Sequence, residues 1–174
     1  LALIAAPAAA CASILRDCGA SGCTHALMLS HGFGEADAEA VAATRELIDA
    51  ARQARVRLVG PNARGLLRPR IALDASAMTD VDTMPAAGPL AVLSQSGAWL
   101  SILRDFVAGS SIGFSSLLSL GASLDLDFGE LLDYFAFDAQ TSDVLLYIEE
   151  VHNAPAFMSG VRQISRMKPV VVLK

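Results

Sequence analysis

Apolar residues gather in six short runs along this chain, at residues 1–5, 26–29, 56–59, 90–93, 144–148 and 170–173. None of them settles into an alternation of polar and apolar positions, so each predicted strand has both faces covered. That is the pattern of strands in a parallel sheet layered by helices. A further stretch, residues 112–120, runs up to Gly121 in the same way. Between the runs the spacing turns helical. Leu100, Leu103 and Val107 share one helix face, as do Phe157, Val161 and Ile164. Residues 37–55, rich in Ala, Glu and Arg, predict a long exposed helix. Asp127 with Glu130 three residues on reads as a capping box ahead of Leu131 and Leu132, and Asn153 followed by Pro155 reads as another helix start. Strand alternating with helix predicts a doubly wound α/β fold.

The pattern lapses once. Residues 64–88 show no strong periodicity and are punctuated by Pro69, Pro85 and Gly88, with Pro89 next. The charge changes sign across the same stretch. Residues 45–70 hold seven arginines against Glu46 and Asp49, whereas residues 74–150 hold twelve acids against Arg104 alone. The chain is therefore expected to form two α/β units, residues 1–65 and 89–174, joined by a connector at 66–88. Each unit looks incomplete: the first opens on a strand with no preceding βα half, and the second stops on a strand. A fragment of a longer polypeptide, or a chain trimmed to its ordered part, is the expectation.

Composition narrows the classes. Of the 174 residues, 53% are hydrophobic and 18% charged, which is ample for a buried core and excludes a disordered chain. A net charge of -5 argues against general nucleic-acid binding, which leans on a basic surface. No apolar run approaches the roughly 20 residues that span a bilayer, and residues 1–5 have no basic leader before them, so neither a membrane span nor a signal peptide is expected. Cys11, Cys18 and Cys23 are spaced by seven and five residues, which fits no zinc pattern; they read as buried, reduced thiols of a cytoplasmic protein.

In open α/β sheets ligands bind beyond the C-terminal ends of the strands, so the residues following each run are the candidates. They are Ala6 and Pro7; Ser30, His31 and Gly32; Gly60, Pro61 and Asn62; Ser94, Gln95, Ser96 and Gly97; Gly121; and Glu149. Ser94-Gln95-Ser96-Gly97 follows a strand and opens a helix. It is either an anion cradle of backbone N–H groups and hydroxyls, or an N-cap serine with a packing glycine. It lacks the G-x-S-x-G pattern of a serine nucleophile. Gly60-Pro61-Asn62 is either a ligand-facing turn or an ordinary one. Glu149, ending an apolar strand, could orient an imidazole, hold a metal, or lie solvated. Asp125 and Asp127 suggest a metal pair, but capping already accounts for Asp127, and no metal site is expected.

Taken together, these loops resemble those of the NDP-forming acyl-CoA synthetases, the superfamily that includes the α subunit of succinyl-CoA synthetase. Arg57-Leu58-Val59-Gly60-Pro61-Asn62, continuing to Gly65-Leu66-Leu67, resembles the Gly-Pro-Asn-Cys-x-Gly turn of that superfamily, with Ala63 in place of the cysteine. Residues 90–98 (LAVLSQSGA) are similar to the start of its flavodoxin-like domain. Residues 114–134 resemble its S-x-G-x-x-x-D-x-D-F-x-x-L-L-x-Y stretch, and residues 145–149 (LLYIE) and 168–174 (KPVVVLK) follow in the family's order. Residues 2–7 and 29–33 resemble the second half of its Rossmann-like CoA-binding domain.

The resemblance implies a fold: the C-terminal half of a Rossmann-like CoA-binding domain, followed by a flavodoxin-like ligase domain with a parallel sheet. It also implies a reaction, in which acyl-CoA, NDP and phosphate interconvert with acid, CoA and NTP through a phosphohistidine lying outside this chain. Carried over by position, Ser94, Gln95, Ser96 and Gly97 would hold the phosphate, and Glu149 would orient the histidine. Ala6, Pro7, Ser30, His31 and Gly32 would line the CoA site, with Gly60, Pro61, Asn62 and Gly121 near the thioester. The implied cofactors are coenzyme A and ATP or ADP with Mg in the full-length protein. The implied partners are a small-molecule CoA thioester and an ATP-grasp domain or β subunit. Glu150 stands where glycine is usual in the family. Some relatives fuse this architecture to a lysine acetyltransferase, so the alternative implied function is a CoA- or acyl-CoA-sensing regulatory domain.

Overall fold

The first three apolar runs become β1 (Ala2–Ile4), β2 (His25–Met28) and β3 (Arg57–Val59), and the helical spacings between them become α1 (Ala8–Ala20) and α2 (Ala38–Ala54). In the computed structural model, which describes residues 1–78 and 84–174, these strands pair in parallel in the order β1-β2-β3, with Leu3 opposite Leu27 and Leu27 opposite Val59. Leu15 of α1 and Leu47 and Ala50 of α2 are fully buried in a core shared with Met28 and Leu58. Each large side chain there contributes about 1.5–3 kcal/mol through removal from water. α2 starts where Asp37 accepts the Ala40 N–H at 2.8 Å and ends at Arg55, which adopts the left-handed conformation with φ 55°.

This first unit comprises Leu1–Ala63 together with Gly121–Leu126. The returning segment runs antiparallel along the end of β3. Ala122 N–H donates to Pro61 O at 2.9 Å, Leu124 N–H to Gly60 O at 3.1 Å and Leu126 N–H to Leu58 O at 3.1 Å. Asp125 fixes it further, accepting the Leu58 N–H at 2.7 Å and pairing with Arg57 at 3.0 Å.

The second unit comprises Arg64–Leu120 and Asp127–Lys174. Its elements are β4 (Gly65–Arg68), β5 (Leu73–Ser76), β6 (Ala87–Ser94), α3 (Gly97–Phe106), β7 (Phe114–Ser119), α4 (Phe128–Phe137), β8 (Asp143–Tyr147), α5 (Ala154–Ile164) and β9 (Val170–Leu173). The strand order is β5-β4-β7-β6-β8-β9. β7, β6, β8 and β9 are parallel, while β4 and β5 form an antiparallel hairpin on the β7 edge. The core between sheet and α3 holds Val92, Leu100, Phe114 and Leu117, each without exposed surface. Asp127 caps α4 by accepting the Gly129 N–H at 2.8 Å, and Asn153 caps α5 by accepting the Ala156 N–H at 3.1 Å.

Residues 66–88, expected as a connector, carry most of β4, all of β5 and the start of β6. Residues 79–83 of that stretch lie outside the described residues. The hairpin escapes sequence patterning because its strands are four residues each, too short to display a period, and β4 is anchored by one buried side chain, Leu67. Among the described residues, no helix is long and apolar enough to cross a membrane.

Candidate functional site

In the first unit, the loops following the strands are tied to one another by backbone. Ser30, nearly buried after β2, accepts the Ala6 N–H on its hydroxyl oxygen at 2.9 Å, and its carbonyl accepts the Asn62 N–H at 2.8 Å. One serine therefore links the ends of all three strands. Pro7 precedes α1 and supplies no side-chain cap, which leaves the first N–H groups of that helix without a side-chain acceptor from it. Gly32, with φ 93°, lies against the start of α1: a Cβ there would sit 3.3 Å from the Ala8 Cβ. His31 and Asn62 are exposed beside it on this edge.

Gly60 and Gly121 are where the backbone demands glycine. Gly60 has φ 107°, and a Cβ would stand 2.6 Å from Met28 O. Gly121 has φ 57°, and a Cβ would collide with Pro61 O and the Asn62 carbonyl. The Gly60-Pro61 peptide is cis, and Asn62 is left-handed with φ 57°. The structure thus gathers Ala6, Pro7, Ser30, His31, Gly32, Gly60, Pro61, Asn62 and Gly121 at the C-terminal edge of one parallel sheet, with Pro7, His31, Gly32 and Asn62 exposed and Ser30, Gly60, Pro61 and Gly121 buried beneath them.

In the second unit, the order β7-β6-β8-β9 reverses direction at β6, so the crevice between the ends of β6 and β8 is the topological switch point. Both predicted loops end there. Ser94 has no exposed surface, and its hydroxyl turns inward to donate to Ser96 O at 2.7 Å. The Ser96 hydroxyl caps α3 by accepting the Trp99 N–H at 3.2 Å. Gln95, 8% exposed, spends its whole amide on the loop after β8. Its Oε1 accepts the Glu149 N–H at 2.7 Å and the Glu150 N–H at 2.9 Å, and its Nε2 donates to Glu150 O at 2.9 Å. This strap brings Gly97 and Glu149 to the same crevice, with the Glu149 and Glu150 side chains exposed.

Arg64 was not among the sequence candidates. Its aliphatic stem lies where a side chain on Gly97 would have to go, and its guanidinium donates to Ala77 O at 3.4 Å. The stem, not the charge, therefore packs against the start of α3. The signal that could have found it is an arginine placed two residues after the Gly-Pro-Asn turn, within the arginine-rich stretch 45–70. Asp125 and Asp127, weighed as a metal pair, are each engaged otherwise: Asp125 with Arg57 and the Leu58 N–H, Asp127 with the first turn of α4.

Comparison with known proteins adds an independent line. Residues 87–174 match the model of the succinyl-CoA ligase like flavodoxin domain. Over its whole length the chain is 37% identical to the ADP-forming acetate–CoA ligase I of Archaeoglobus fulgidus, spanning 25% of that protein. It is 34% identical over its whole length to the alpha subunit of ADP-forming acetate–CoA ligase I of Pyrococcus furiosus, spanning 37% of it. Among solved structures, the dinucleotide-forming acetyl-coenzyme A synthetase 1 of Candidatus Korarchaeum cryptofilum superposes with a TM-score of 0.90 at 31% identity, over 99% of this chain and 37% of that one. The chain spans well under half the length of the proteins it matches.

Proposed function

Because the chain belongs to the succinyl-CoA ligase like flavodoxin domain family, we propose that it is a segment of an NDP-forming acyl-CoA synthetase. The whole protein would interconvert acyl-CoA, NDP and phosphate with acid, CoA and NTP. The names of the relatives favour ADP and a small acid such as acetate. The phosphoryl group travels on a histidine outside residues 1–174, and an ATP-grasp domain or β subunit supplies the nucleotide site with Mg.

The observation that carries this reading is the Gln95 strap at the switch point. Phosphoryl transfer asks a protein for positioning and charge stabilisation more than for covalent machinery. The strap holds the helix-opening loop and the Glu149 loop in one crevice, which is what binding a phosphorylated imidazole requires. Ser94 and Gln95 face into the loop, so their part is to shape it. The phosphate contacts fall to backbone N–H groups at the start of α3, with the positive end of that helix behind them. Glu149 accepts a hydrogen bond from the imidazole and fixes its orientation.

The first unit supplies the thioester side. Coenzyme A fits an edge made of Ala6, Pro7, Ser30, His31 and Gly32, because glycine and alanine there let a pyrophosphate-bearing ligand approach main chain and the start of α1. The turn at Gly60, Pro61 and Asn62, backed by Gly121, holds the acyl end, with the Asn62 amide able to both donate and accept.

The test uses the full-length protein with acetyl-CoA, ADP, phosphate and Mg, with ATP formation as the readout. ATP formed in step with CoA release is the expected result. No ATP from a protein that still binds CoA would replace this reading with the regulatory one, in which the same loops sense CoA or its thioesters for an acetyltransferase.

A further inference from the structure

The turn between α1 and β2, at the end of the first sheet opposite Ser30 and Asn62, holds two thiols side by side. Cys18 lies in the last turn of α1 and Cys23 two residues before β2 begins. The chain reverses tightly between them. Ser21 N–H donates to Asp17 O at 3.0 Å, Gly22 takes φ 76°, and Cys23 N–H donates to Cys18 O at 2.9 Å. A backbone bond of that length limits the two Cα atoms to about 6.8 Å apart, within the range a disulfide spans. The Cys23 thiol donates to His25 O at 3.3 Å, so it sits at the mouth of the same turn. Both residues are partly exposed, against the expectation of buried thiols, because they flank a turn at the surface. Cys11, by contrast, is fully buried with its thiol 3.4 Å from Pro7 O.

We propose that Cys18 and Cys23 form a redox modification site at which hydrogen peroxide converts the dithiol to an intramolecular disulfide. The division of labour follows from their surroundings. Burial, and then the neighbouring Cys23, push the Cys18 thiol above its ordinary pKa, so Cys18 is the poorer source of thiolate. Cys23 is therefore the attacking thiolate. Its sulfur bonds to one peroxide oxygen, the O–O bond breaks, and hydroxide departs and is protonated to water. The sulfur has given up two electrons and stands as a sulfenic acid. Cys18 sulfur then attacks Cys23 sulfur, the S–O bond breaks, and the departing hydroxide leaves as water with the Cys18 proton. A dithiol reductant reverses the bond by exchange.

The sequence makes the test direct. Trypsin cuts after Arg16 and Arg45 with no Lys or Arg between, so both thiols fall in one peptide, residues 17–45, and Cys11 falls in another. The full-length protein is treated with a slight excess of hydrogen peroxide, quenched with N-ethylmaleimide and digested without reductant. The expected product is peptide 17–45 bearing no maleimide and two hydrogens lighter, which takes up two maleimides after dithiothreitol. In Cys18→Ser, dimedone traps a sulfenic acid on Cys23; in Cys23→Ser, the peptide yields no such adduct. Peptide 17–45 that keeps two maleimides under peroxide would overturn the proposal. So would a Cys23 driven to sulfinic acid while Cys18 is still alkylated.

Discussion

Gln95 carries more of the site than its chemistry suggests. Its amide satisfies the Glu149 and Glu150 N–H groups and the Glu150 carbonyl. Gln95→Ala strands these backbone groups, at a cost of about 1–3 kcal/mol, and releases the loop that positions Glu149. The full-length variant is expected to remain folded, to unfold at lower urea, and to lose about tenfold or more in turnover with CoA affinity unchanged, a loss of about 1.4 kcal/mol or more in transition-state stabilisation. Wild-type turnover in that variant would contradict the role. Gly60→Ala has a different signature: with φ 107° and Met28 O in the way, it should cost about 2 kcal/mol of stability, read as a lowered urea midpoint. Spacing names both residues as lying on the ligand edge. It cannot tell that Gln95 faces inward, because its partners lie 54 and 55 positions away.

Elements were most legible where their signals are local. The Asp127 and Asn153 caps involve acceptors and donors within three residues, and both start their helices as expected. Asp127→Ala should therefore lower stability by about 1 kcal/mol, seen as a shifted urea midpoint with an unchanged slope. Replacement by Asn or Ser should restore most of it. The β4–β5 hairpin was illegible for the opposite reason: its strands are defined by pairing, Leu66 with Leu118 on one side and Ala75 on the other, and by little in their own four residues. The attachment of residues 121–126 to the first unit is equally non-local. It depends on Asp125 meeting Arg57, 68 positions earlier in the chain.

At the scale of the whole molecule, apolar runs separated by helical spacings were enough for the parallel α/β class, because runs without alternation fit strands covered on both faces; β7 is buried throughout, while β1 and β9 leave Leu3 and Val171 exposed. Strand order was not in the pattern, and it is what creates the switch point between β6 and β8. The central claim is that this crevice serves a phosphohistidine. The most direct measurement incubates the full-length protein with γ-labelled ATP and Mg and follows label on the polypeptide. Acid-labile, base-stable phosphate that is discharged by CoA together with a small carboxylic acid, and that falls sharply in Glu149→Gln, is the predicted result. A protein that takes up no label would contradict it.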